Sequence, residues 1–210
     1  MTVRDFKLYV IIDSKSANGR DLAGLAAEAV KGGADIIQLR EKDAAAREII
    51  GLGRAIKKAI TVVSKDALFI INDRPDIAFA CGADGVHIGQ DDIPPDAARA
   101  VMGKDRILGI STHSLEQALA AREDGADYIG VGPVFSTPTK PGYKAVGLGL
   151  VSEVRKAVDT PFVAIGGISA DNIDQVIDAG ARRIAVVRAV CGANDVAYAA
   201  KVLKERLNNI

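Results

Sequence analysis

The chain has 210 residues, 49% apolar and 26% charged, the balance of a folded globular protein long enough for one large domain or two small ones. Its 27 Lys plus Arg offset 27 Asp plus Glu, so no bulk positive field exists to draw nucleic acid or a membrane surface. Two cysteines without paired spacing, Cys81 and Cys191, and only two histidines exclude a disulfide framework, a structural zinc and a His-rich metal centre.

The opening stretch "MTVRDFKLYVIID" lacks the plan of a secretory signal, and no apolar run reaches membrane-spanning length, so a cytoplasmic protein is expected. From there, short β-branched runs alternate with Ala-rich helical patterns. The predicted strands are "KLYVIID" (7–13), "DIIQLR" (35–40), "ALFIIN" (67–72), "GVHIG" (85–89), "RILGIS" (106–111), "DYIGVGPVF" (127–135), "PFVAIGGI" (161–168) and "RIAVVRAV" (183–190). Between them lie helical stretches such as "SLEQALAARED" and "DNIDQVIDAG", with apolar residues three and four apart. Strands alternating with helices predict right-handed βαβ units and a parallel sheet covered on both faces.

A longer period runs through this pattern. "GGADIIQL", "CGADGVHIG", "DGADYIGVG" and "AGARRIAVV" share a Gly-Ala-Asp/Arg step into a strand, at spacings of 49, 43 and 55 residues, or two βα units each. The glycine of each copy fits a position just past a helix, where a left-handed backbone is free of a Cβ penalty. Four copies before strands two, four, six and eight predict a single (β/α)8 barrel over residues 1–210, with an open doubly wound sheet as the alternative.

In such a barrel the active site lies at the C-terminal strand ends, and that is where the polar residues fall. Strand two ends in Gln38, Arg40 and Lys42, with Leu39 and Glu41 on the opposite face by the period of two. Two cations beside an amide suit a polyanion. Strand three ends in Asn72 and Asp73, the fourth loop carries Gln90, Asp91 and Asp92, and strand five ends in Ser111, Thr112 and His113. Asp73 and Asp92, without a neighbouring His or Cys, read either as ligands of a hard cation such as Mg²⁺ or as caps of the helices beginning near Pro75 and Pro94. The paired glycines of "AIGGIS", with Val187 and Arg188 after strand eight, suit a monophosphate. His113 reads as an acid/base or as a helix-start residue with a local hydrogen bond; His87 reads as interior packing.

The motifs "QLREK", "INDRPDIAFACGADGVHIGQDD", "LGIST", "GVGPVFSTPTKPG", "AIGGI" and "VVRAV" resemble, in order and spacing over essentially the whole chain, those of the thiamine-phosphate synthase family of (β/α)8 barrels. The resemblance implies condensation of 4-amino-2-methyl-5-hydroxymethylpyrimidine diphosphate with 4-methyl-5-(2-phosphoethyl)thiazole, or its carboxylated form. The products would be thiamine monophosphate and diphosphate, and the cofactor Mg²⁺. It further implies that Gln38, Leu39, Arg40, Glu41, Lys42, Asn72, Ser111 and Lys140 surround the pyrimidine diphosphate, with Arg40, Lys42, Lys140 and Ser111 as the catalytic set. Asp73 and Asp92 would hold the metal, and Thr137, Pro138, Thr139, Gly167, Val187 and Arg188 would line the thiazole phosphate side. Family members often carry Ser where this chain has Arg188. Partners are then small-molecule substrates, with no nucleic acid or membrane and with a homo-oligomer left open. The rivals are a thiazole tautomerase, with His113 as its acid/base, and a non-catalytic thiazole-phosphate-binding regulator. The segment "STPTKPGYKAVG" is expected to fold over the substrates as a lid.

Overall fold

A computed structural model describes residues 5–137, 142 and 144–210. Parallel strands alternate with helices in the order β1 (Leu8–Ile12), α1 (Ser14–Ala17), α2 (Leu22–Lys31), β2 (Ile36–Leu39), α3 (Ala46–Val63), β3 (Leu68–Asn72), α4 (Pro75–Cys81), β4 (Gly85–Ile88), α5 (Pro95–Met102), β5 (Ile107–Thr112), α6 (Leu115–Glu123), β6 (Tyr128–Val131), α7 (Gly147–Ala157), β7 (Phe162–Ile165), α8 (Ile173–Asp178), β8 (Ile184–Val186), α9 (Arg188–Cys191) and α10 (Val196–Asn208). Each strand pairs with its neighbours in sequence, and β1 pairs with β8 through Leu8↔Ile184 and Val10↔Val186, which closes the barrel. The expected (β/α)8 architecture is therefore present, and the open sheet is not.

The strand period of two divides the core into two layers. Leu8, Val10 and Ile12 of β1, Ile37 and Leu39 of β2, and Phe69 and Ile71 of β3 face outward into a large apolar layer under the helices. Tyr9, Ile11, Ile36, Ile70, Tyr128, Val163 and Ala185 fill the barrel interior. Phe6 plugs the N-terminal end, edge-on to Tyr9 at 6.1 Å and to Tyr128 at 5.8 Å between ring centroids.

The fourfold step has a physical basis. Gly33, Gly82, Gly125 and Gly180 all have positive φ, between 72° and 106°, and turn the chain from a helix end toward the next strand. The aspartate two residues on then stitches the barrel floor. Asp35 Oδ2 accepts from the Lys7 and Leu8 amides at 2.8 and 2.9 Å and pairs with Lys204. Asp84 Oδ2 accepts from the Phe69 amide at 2.7 Å and pairs with Lys57. Asp127 Oδ2 accepts from the Leu108 amide at 2.8 Å and pairs with Arg99. The fourth copy has Arg182 in that place, bonded instead to the Ile177 and Ala181 carbonyls.

Three predicted strands run too long. The sixth stops at Val131, before Gly132-Pro133, because proline has no N–H for a ladder. The seventh stops at Ile165, where Gly166 and Gly167 take φ of 106° and 66°. The eighth ends at Val186, and "RAVC" forms the short helix α9 instead of more strand.

Candidate active site

A cavity of about 430 Å³ opens at the C-terminal ends of the strands. Of the residues singled out from the sequence, Gln38, Arg40, Asn72, Ser111, Thr137, Gly167, Val187 and Arg188 line it, as does His113. The alternation in β2 places Gln38 and Arg40 inward, while the Leu39 side chain is buried in the outer apolar layer and does not face the cavity. Glu41 also turns away: its Oε1 accepts from the Ser14 amide at 2.6 Å and from Ser14 Oγ at 2.7 Å. Both side chains thus take the face opposite to Gln38 and Arg40, as the strand period predicts. Pro138, Thr139 and Lys140, and with them Pro141 and Tyr143 of the expected lid, lie outside the described residues.

Lys42, Asp73 and Asp92 group at the tips of β2 and β3 and in the loop after β4. Lys42 Nζ stands 3.1 Å from Asp73 Oδ2, and the Asp92 carboxyl lies close enough to act on that of Asp73. Burial, then the Asp92 carboxyl beside it, pushes the Asp73 carboxyl up from its ordinary range, with Lys42 pulling the other way. Neither carboxylate caps a helix. The position before α4 is Arg74 and that before α5 is Pro94, without a side-chain cap at either. Asp92 Oδ2 instead accepts from the Gly89 amide at 2.7 Å, which folds its own loop toward Asp73. Of the two readings of this pair, capping is thus removed and the hard-cation reading keeps its geometry.

The donor set fits Mg²⁺. It is all oxygen, and among the described residues no group of three or more His, Cys, Asp or Glu side chains gathers. Two carboxylates with the other positions left to phosphate oxygens and water is the usual arrangement for this ion.

On the opposite flank, the glycines after β7 are required twice over. Besides their positive φ, a Cβ on Gly166 would stand 2.5 Å from Pro133 Cα, and one on Gly167 2.8 Å from Phe135 Cβ. Asn172 braces the turn, donating to the Gly167 carbonyl at 2.9 Å and accepting from the Ser169 amide at 2.9 Å. A bare backbone held this way can approach an anion closely. Arg188, the first residue of α9, adds a guanidinium to the same lining.

The local role predicted for His113 is present: its amide donates to Gln117 Oε1 at 2.7 Å, and its Nδ1 meets the Gly132 carbonyl. His87 differs from its reading as packing, because both ring nitrogens are hydrogen-bonded. Nδ1 lies 2.9 Å from the Tyr128 hydroxyl and Nε2 2.8 Å from Ser111 Oγ. The Tyr128 hydroxyl lies 2.9 Å from that of Tyr9, which accepts from Gln38 Nε2 at 2.8 Å. Sequence reasoning passes over Tyr9, Tyr128 and His87 because they come from β1, β6 and β4 and meet only across the closed barrel. The available signal was Gly109 in the middle of "RILGIS", since glycine inside a strand marks close approach of another group.

A profile described as thiamine monophosphate synthase matches residues 8–190. The thiamine-phosphate synthase of Moorella thermoacetica is 48% identical over 201 residues, covering 94% of each chain. That of Halalkalibacterium halodurans is 45% identical over 195 residues, covering 92% of each. The solved thiamine phosphate pyrophosphorylase from Pyrococcus furiosus superposes with a TM-score of 0.89 at 38% identity, over 98% of this chain and 97% of that one.

Proposed function

The chain belongs to the thiamine monophosphate synthase family and is a transferase of that kind, and from that premise we propose how its cavity divides the two substrates. The aminopyrimidine diphosphate places its diphosphate against Arg40, Lys42, Asp73 and Asp92, and the thiazole phosphate places its phosphate against the Gly166–Gly167 turn and the start of α9. The observation that carries this is the Asp73–Asp92 carboxyl pair beside Lys42, next in the chain to the cavity-lining Asn72 and close after Arg40. Such a pair favours a cation and, through that cation, a polyanion.

Asp73 and Asp92 would hold Mg²⁺, which when bound would supply positive charge to the departing diphosphate. Arg40 and Lys42 hold the same anion as its bond to the pyrimidine methylene breaks, and stabilise the charge that it gains on departure. The electron-rich aminopyrimidine shares the positive charge left on the methylene. The thiazole nitrogen forms the new C–N bond to that carbon, its position fixed by the phosphate at the glycine turn. One bond breaks and one forms, diphosphate leaves with the electron pair, and no side-chain nucleophile takes part. Lys140, read from the sequence alone, adds a third cation from the loop after β6.

Incubation of purified protein with both substrates and either Mg²⁺ or EDTA tests the assignment. Thiamine phosphate is expected with Mg²⁺ only. A folded sample that binds the thiazole phosphate and forms no product with either would overturn it.

A further inference from the structure

Beneath the cavity, four hydrogen bonds run in one line across the barrel, from Gln38 through Tyr9, Tyr128 and His87 to Ser111. A hydroxyl has one proton and a neutral imidazole one N–H, so the first donor sets the direction of the whole line. Tyr9 accepts from the Gln38 amide, so its own proton goes to Tyr128. Tyr128 then donates to His87 Nδ1, which places the ring proton on Nε2, where it is given to Ser111 Oγ. The Ser111 proton is left over for the cavity. Burial holds both phenols well above their ordinary range, so they keep the protons that this line needs.

The barrel is hollowed to admit the line. A Cβ on Gly109 would overlap the Tyr128 hydroxyl and His87 Nδ1, and one on Gly130 would come to 3.3 Å from His87 Cε1. Tyr128 has no exposed surface and is the one member of the line absent from the cavity lining, which Gln38, Tyr9, His87 and Ser111 all reach.

We infer that Tyr9, Tyr128 and His87 are positioning residues that fix the hydrogen-bonding sense of Gln38 and Ser111. Gln38, with its NH₂ engaged below, presents Oε1 as an acceptor, and Ser111 presents its hydroxyl as a donor. An acceptor and a donor held at the two ends of the line complement a heteroaromatic ring with an amino group on one side and a ring nitrogen opposite. Resting on the function proposed above, this makes the line a specificity device for the aminopyrimidine and leaves the thiazole indifferent to it.

The test has two parts. With only two histidines in the chain, ¹⁵N-histidine labelling of the ligand-free protein resolves both rings, and a His113→Gln sample assigns them. His87 is expected as the neutral Nε2–H tautomer. In Tyr128→Phe, which removes one hydroxyl outside the cavity, the His87 nitrogen signals are expected to move. The KM for the pyrimidine diphosphate should rise about tenfold, the worth of one hydrogen bond, with the KM for the thiazole phosphate unchanged. If Tyr128→Phe fails to fold, the His87 tautomer of the unaltered protein decides alone, because Tyr9 itself lines the cavity. A protonated Nδ1 on His87 in the unaltered protein, or a folded variant whose pyrimidine KM does not change, would overturn the inference. Failure of the unaltered protein to make thiamine phosphate would sink the function instead, because the tautomer is read without turnover.

Discussion

Asp73 combines two unfavourable features. Its backbone has φ of 62°, a left-handed conformation uncommon outside glycine and asparagine, and its half-buried carboxyl is pushed up by burial and by Asp92. A carboxyl with a raised pKa favours the fold when protonated. That contribution is present below the ordinary carboxylate range and is lost as pH rises through the folded value, so at neutral pH the metal-free site strains the fold. Asp73→Asn keeps a side chain suited to the left-handed backbone and removes the charge. It is expected to raise the Tm of the metal-free protein by about 2 °C while abolishing Mg²⁺-dependent turnover. Calorimetry in EDTA and Mn²⁺ binding followed by electron paramagnetic resonance check the two halves separately. Residue types alone placed this pair among metal ligands or helix caps and could not separate the two. Cap positions one and two residues later, at Arg74 and Pro94 in place of Asp73 and Asp92, separate them, and such an offset is below what sequence periodicity resolves.

At the scale of elements, the Gly-Ala-Asp step shows how a sequence repeat becomes a closed sheet. The glycine ends one helix, the alanine packs, and the aspartate fastens an amide at the start of the preceding strand to a cation on a neighbouring helix. Because this unit is local, its period was legible in the sequence, and the barrel followed from it. The ends of strands were not legible where function alters them. The apolar run of "RIAVVRAV" continues past Val186, yet the chain turns into α9 to bring Arg188 to the cavity. Apolar character persists there because α9 buries Val190 and Cys191 in the same outer layer. Removing one stitch should be felt in stability alone. Asp84→Ala leaves the Phe69 amide and Lys57 without their carboxylate, a loss of about 2–3 kcal/mol. The Tm is expected to fall by about 5–10 °C with both KM values intact, since the stitch lies at the end of the barrel away from the cavity. Asp84→Asn, which retains an acceptor for the amide, should lose about half as much.

Over the whole molecule, the barrel divides its interior between a stability end and a chemical end, and the polar line is the boundary. Phe6 and the aspartate stitches close the N-terminal end, while the cavity opens at the other. Two phenols at this boundary are fully buried, and burial raises both, Tyr9 against the opposing effect of its bonds to Tyr128 and Gln38. In the unfolded chain they titrate near the ordinary phenol value of about 10. Above that pH the unfolded state binds fewer protons than the fold, so stability, full at lower pH, declines as pH rises toward the folded values. Two such groups give a slope of up to about 2.7 kcal/mol per pH unit. Urea titrations at pH 9, 10 and 11 are expected to show the midpoint falling throughout, since burial also pushes the Cys191 thiol up to about 12, and falling more steeply over the last interval, where the phenols add to it. Tyr9→Phe and Tyr128→Phe should each remove about half of that slope, and an unchanged slope in both would place the alkaline sensitivity elsewhere. The experiment reads the burial of the two hydroxyls: a phenol at the surface titrates alike in both states, so its loss leaves the pH dependence unchanged, whereas loss of a buried hydroxyl changes it.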